Sequence, residues 1–74
     1  MNASERALRG CSDKEVKKMG RTAIRAGWSI SVTSRNHLRW TSPDGTVLFS
    51  ALTPSRSGYS KIIAKRLRDA GLDL

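Results

Sequence analysis

The spacing of apolar residues changes twice along this 74-residue chain, and that change limits the fold more than any single residue does. Val16, Met19, Gly20 and Ala23 recur at about 3.6-residue spacing and so share one face of a helix, with Lys14, Lys18, Arg21 and Arg25 on the opposite face. Ser12-Asp13-Lys14-Glu15 reads as a capping box, in which the Ser12 and Glu15 side chains each satisfy a backbone amide at the other's position. Gly27 supplies a left-handed C-terminal cap, so the helix is expected over residues 13 to 26.

The period then drops to about 2: Trp28, Ile30 and Val32 alternate with Ser29, Ser31 and Thr33, as in a strand with one buried and one wet face. Ser34-Arg35-Asn36 suits a turn, and Leu38 and Trp40 then alternate with His37, Arg39 and Thr41. Ser42-Pro43-Asp44-Gly45 places Pro where a turn wants a fixed φ and Gly where it wants a positive one, so the chain reverses again. A third strand is expected over residues 46 to 51, with Val47, Phe49 and Ala51 inward and Leu48 the misfit. After a hydroxyl-rich loop broken by Pro54 and Gly58, the helical period returns over residues 59 to 70. Tyr59, Ile62, Ile63, Leu67 and Ala70 fall on one side, with Arg66 left to snorkel out of it. Gly71 caps this helix, and Leu72 is placed to pack back on Leu67. Residues 1 to 11 read as a flexible arm with little apolar surface to dock.

The expected fold is therefore α+β, in the order α-β-β-β-α, with a three-stranded antiparallel sheet and both helices on one face, forming a single domain over residues 12 to 74. The other face is left open and carries Ser29, Ser31, Thr33, His37, Arg39 and Thr41.

Fourteen Lys and Arg against six Asp and Glu give a net charge of +8, more than solubility requires, and a field of that kind favours polyanionic partners. The single cysteine, Cys11, excludes an internal disulfide and fits a reducing compartment. No apolar run is long enough for a membrane span, and the first residues lack the apolar stretch of a signal peptide. Six scattered carboxylates and one thiol give no zinc or magnesium site, and no cofactor is expected.

Gly27-Trp28, then Asn36-His37-Leu38-Arg39-Trp40, then Pro43-Asp44-Gly45, closing on Ala70-Gly71-Leu72-Asp73-Leu74, resembles the HicA family of messenger-RNA-cleaving toxins. The resemblance covers residues 12 to 74, and Arg35-Asn36 stands where the family carries Gly-Ser before its histidine. It implies a double-stranded-RNA-binding-like fold, a ribonuclease whose essential histidine lies on the second strand, and an antitoxin partner, HicB, that masks it. His37 occupies the matching position. A cytoplasmic protein of a bacterium or phage-infected cell, monomeric when free, is the corresponding expectation.

Independently of the family, RNA is cleaved without metal when a base takes the 2′-hydroxyl proton and cations stabilise the charge that develops at phosphorus. Imidazole titrates near neutrality and suits the first task. Arg39, on the same face as His37, and Arg35, in the preceding turn, suit the second. Lys14, Lys18, Arg21, Arg25 and Lys61 are candidate phosphate contacts, and residues 55 to 58 before the last helix are a candidate phosphate seat. Each has a plainer reading: an exposed polar strand residue, a solvated helix face, a simple helix start. Trp28 and Trp40 fall on the inferred buried face and read as core. Three functions fit the residues: a ribonuclease toxin, a non-catalytic RNA or DNA binder of the same fold, and a small basic inhibitor that docks on an acidic host protein.

Overall fold

The computed structural model describes residues 3–54 and 57–74. Its elements are α1 (Ala3–Arg9), α2 (Lys14–Arg25), β1 (Ser29–Val32), β2 (His37–Thr41), β3 (Val47–Ala51) and α3 (Tyr59–Asp69), and the strands form one antiparallel sheet in the order β1-β2-β3. The α+β architecture and its α-β-β-β-α core are as expected. Alternation along the strands sends Ile30, Leu38, Trp40 and Ser50 into the interior, where they meet Val16 and Ala23 of α2 and Ile63 and Leu67 of α3. Trp28 and Trp40 are both core residues.

The expected flexible arm is instead a helix. Ala7, Leu8 and Cys11 are buried in the common core, and a Cβ placed on Gly20 would lie 2.4 Å from Leu8 Cδ2. Gly20 therefore lets α1 approach α2 closely enough for Leu8 to fill the space that a side chain would occupy. Thr33 N donates to His37 O at 2.8 Å, so Ser29 and Ser31 also turn their backbone groups toward β2, and the Ile30 amide points to the outer edge of the sheet. There the Ser4 hydroxyl accepts it at 2.9 Å. At the other edge the Ala51 amide donates to the Tyr59 hydroxyl at 2.7 Å. Edge strands offer unpaired amides as templates for aggregation; here a side chain from α1 and one from α3 each occupy such an amide.

The third strand is turned over relative to expectation: Phe49 is 52% exposed, Val47 and Ala51 are half-buried on the outer side, and Leu48 and Ser50 face inward. The cause is the turn. Gly45 N donates to Ser42 O and Ser42 N to Thr46 O, a three-residue loop with Gly45 at φ 93, which pairs Thr41 with Val47 and Arg39 with Phe49. An inward Ser50 is then explained by Trp40, whose indole Nε1–H, enclosed in the core, donates to Ser50 Oγ at 2.8 Å. A buried indole N–H needs an acceptor, and Ser50 supplies it.

Smaller departures have similar causes. Asp13, one residue later than expected, caps α2: its carboxylate accepts from Glu15 N at 2.9 Å and Val16 N at 3.1 Å. Val32, the last residue of β1, and Ile62, on α3, are exposed where both were expected inward. Arg66 is exposed. The end of α3 closes as expected, with Leu72 N donating to Leu67 O at 2.9 Å and both leucines buried.

Candidate nucleic-acid interface

The hairpin between β1 and β2 presents His37. Thr33 N donates to His37 O, Asn36 N donates to Thr33 O at 3.0 Å, and Thr33 Oγ1 accepts from the amides of Arg35 (3.3 Å) and His37 (3.2 Å). Asn36 takes φ 60, a left-handed conformation that asparagine tolerates better than most residues. Arg35-Asn36 thus builds a tight three-residue loop, the same hydrogen-bonded form as the loop at Gly45, with His37 opening β2 directly after it.

The open face of the sheet carries Ser29, Ser31, His37, Arg39 and Phe49 exposed, with Thr33, Thr41, Val47 and Ala51 half-buried. Thr33, Ser34, Arg35, His37 and Phe49 line a shallow depression of about 340 Å³. Arg39 flanks it, directly opposite Phe49 on β3. Because His37 turns its carbonyl toward β1, Arg39 and Phe49 form a pair without backbone hydrogen bonds between them, the kind whose side chains lie closer together. None of these outward residues is acidic. His37, Arg35 and Arg39 therefore come together, and Phe49 joins them. Expectation had placed Phe49 in the core; counting pairs outward from the turn, with Thr41 outward, would have moved it to this face.

The remaining candidates lie on the helix side. Lys14 is exposed in the first turn of α2. Arg21 and Arg25 line a groove between α1 and α2 together with Lys17, Arg9 and the acidic Glu5; Arg9 and Glu5 were not foreseen there because α1 was not. Lys18 and Lys61 face each other across a groove between α2 and α3, with Arg68, Glu15 and Asp73 beside them. Arg21 and Arg25 thus line one groove and Lys18 another, Lys14 lines neither, and neither groove shares a lining residue with the His37 depression. Of the loop proposed as a phosphate seat, Ser55 and Arg56 lie outside the described residues; α3 starts at Gly58 without a side-chain cap.

Asp44 and Cys11 are occupied structurally. The Ser42 hydroxyl, the Thr46 amide (3.1 Å) and the Thr46 hydroxyl (3.0 Å) donate to the Asp44 carboxylate and hold it below the usual carboxylate range. A carboxyl lowered in the folded state stabilises the fold above its unfolded pKa and loses that contribution as pH falls through the folded value. An NMR titration is accordingly expected to place the Asp44 midpoint below about 3.9, the value for an unperturbed aspartate; a midpoint at or above it would mean that the turn does not hold the carboxylate in solution. Burial pushes the Cys11 thiol up, and its hydrogen bond to the Asp13 carbonyl offsets this only in part, so it stays protonated at neutral pH.

Among the described residues, no three His, Cys, Asp or Glu side chains come together as metal ligands, and no helix is long and apolar enough to cross a membrane. Fold and face together define a small basic α+β protein with an open, cationic sheet surface. In comparisons with known proteins, the chain matches no family model, no curated protein and no solved structure.

Proposed function

We propose that this protein binds RNA on the open face of its sheet and cleaves it without a metal ion, as a cytoplasmic toxin of the HicA type held in check by a HicB-like antitoxin. The observation that carries the reading is the convergence of His37, Arg35 and Arg39 on a face free of carboxylates. His37 takes the proton from a 2′-hydroxyl; the oxygen attacks the adjacent phosphorus, the bond to the 5′ oxygen breaks, and water protonates the departing oxygen. Arg39 and Arg35 stabilise the charge on the non-bridging oxygens. Incubating RNA with the wild type and with a His37 variant tests the reading directly.

A non-catalytic RNA binder of the same fold is the second reading, and one observation favours it: the depression holds no second imidazole and no carboxyl to serve as leaving-group acid.

Under either reading, the helix-side cations add long-range attraction. Affinity for RNA is expected to fall about a hundredfold between roughly 50 and 200 mM salt if about four phosphates are contacted. Reversing Lys14, Lys18 and Arg21 to Glu should weaken binding across RNA sequences and raise KM while leaving kcat unchanged, since none of the three adjoins His37. A flat salt response measured by fluorescence anisotropy would sink the electrostatic account.

A further inference from the structure

We infer that Phe49 is a stacking platform for an unpaired base, so that the substrate presented to His37 is single-stranded RNA; the inference rests on the RNA reading above. Phe49 lies within β3, 52% exposed, on a face where its neighbours along and across the strands are Val47, Ala51, His37, Arg39 and Thr41. Leaving a large ring half in water forgoes burial energy that the same strand obtains at Leu48. An exposed aromatic ring beside two arginines is an arrangement that suits single strands: every base has a π-face to stack, and every linkage has a phosphate.

The surroundings select the occupant. Arg39 sits directly across from Phe49, His37 and Arg35 share its depression, and Ser31 lies beyond Arg39 on β1. A base on the ring therefore brings its own phosphate toward Arg39 and the adjoining ribose toward His37. A duplex cannot use the ring, because its bases are already stacked on both faces. A second copy of this chain packed face to face about a twofold axis would set Arg39 and Arg35 near their own images, and like charges oppose that contact. Charge complementarity favours a polyanion with exposed rings.

The test uses the full chain and a fluorescein-labelled oligoribonucleotide bearing 2′-O-methyl groups, so that binding is read with the nucleophile blocked. The oligonucleotide is offered single-stranded and as a duplex, with inorganic polyphosphate as a competitor that has charge but no bases. Phe49→Ala and Phe49→Leu should each weaken single-strand binding roughly tenfold, and Phe49→Tyr should stay within about twofold of wild type. Competition by polyphosphate should be the same for all variants. Thermal melting checks that each variant folds, and Phe49→Leu keeps apolar bulk while removing the π-face. The inference is overturned if Phe49→Leu binds like wild type, if single strand and duplex weaken equally, or if Phe49→Ala dissociates a dimer of the wild type. Cleavage does not enter this measurement, so loss of the stacking effect and loss of the ribonuclease reading remain separate results; a wild type that binds no RNA removes both.

Discussion

His37→Ala is expected to cut RNA cleavage by at least about a hundredfold, the lower end of what a positioned general base contributes, while leaving the fold and most RNA affinity in place. The imidazole is exposed, and the hydrogen bonds that shape its hairpin use the His37 amide and carbonyl, which alanine retains. The substitution therefore removes the base and spares the surface. Arg35, Arg39 and Phe49 remain to hold the strand. Cleavage by the wild type should persist in excess EDTA, consistent with the scatter of metal-ligating side chains among the described residues. Two results would redirect the reading. A His37→Ala protein that cleaves like wild type removes the histidine from the mechanism. A wild type that binds RNA tightly and leaves it intact makes the protein a non-catalytic binder. The same variant should relieve growth arrest on expression if the toxin reading is right.

The second large effect is on stability. Leu8→Ala should cost about 3 kcal/mol and lower Tm by roughly 15 °C, because a buried leucine is removed from a chain too short to build a second core. Gly20 supplies a more specific check. In the wild type, Gly20→Ala drives its new methyl into Leu8, with Cδ1 at 2.6 Å and Cγ at 3.0 Å, and is expected to destabilise by about 1–2 kcal/mol even after its gain in helix propensity. In a Leu8→Ala background the obstacle is gone, and the same change should stabilise by up to about 1 kcal/mol. That reversal of sign, read from denaturant unfolding, tests whether α1 docks where the structure places it. Additive effects would place Leu8 elsewhere. Deleting residues 1 to 10 should likewise destabilise the domain, exposing the surface under Ala7 and Leu8 and freeing the Ile30 amide at the sheet edge.

From α2 onward the order of elements was legible because periodicity is local. Val16, Gly20 and Ala23 bury one helix face, Ile30, Leu38 and Trp40 alternate inward, and Leu72 folds back on Leu67, each as spacing alone dictates. His37, Arg39 and Arg35 could be placed together for the same reason: two lie on one side of one strand, and the third lies in the loop before it.

What spacing could not supply were contacts made across the fold. Ala7 and Leu8 are too few to mark a buried helix, and their burial depends on the absence of a side chain at Gly20, twelve residues past Leu8. The faces of β3 were equally undetermined locally, since Leu48 and Phe49 are both large and apolar. They were decided by the register that the Ser42–Thr46 hydrogen bond imposes and by the need of the Trp40 indole for Ser50. The basic stripe on α2 was visible as a stripe, but its division between two grooves followed from where α1 and α3 dock. The sequence by itself determined which residues could be helix, strand and charge, because those preferences act over a few neighbours. The tertiary structure alone decided that Phe49 stands in water beside His37, because a strand's outer face is defined only by what its inner face must satisfy.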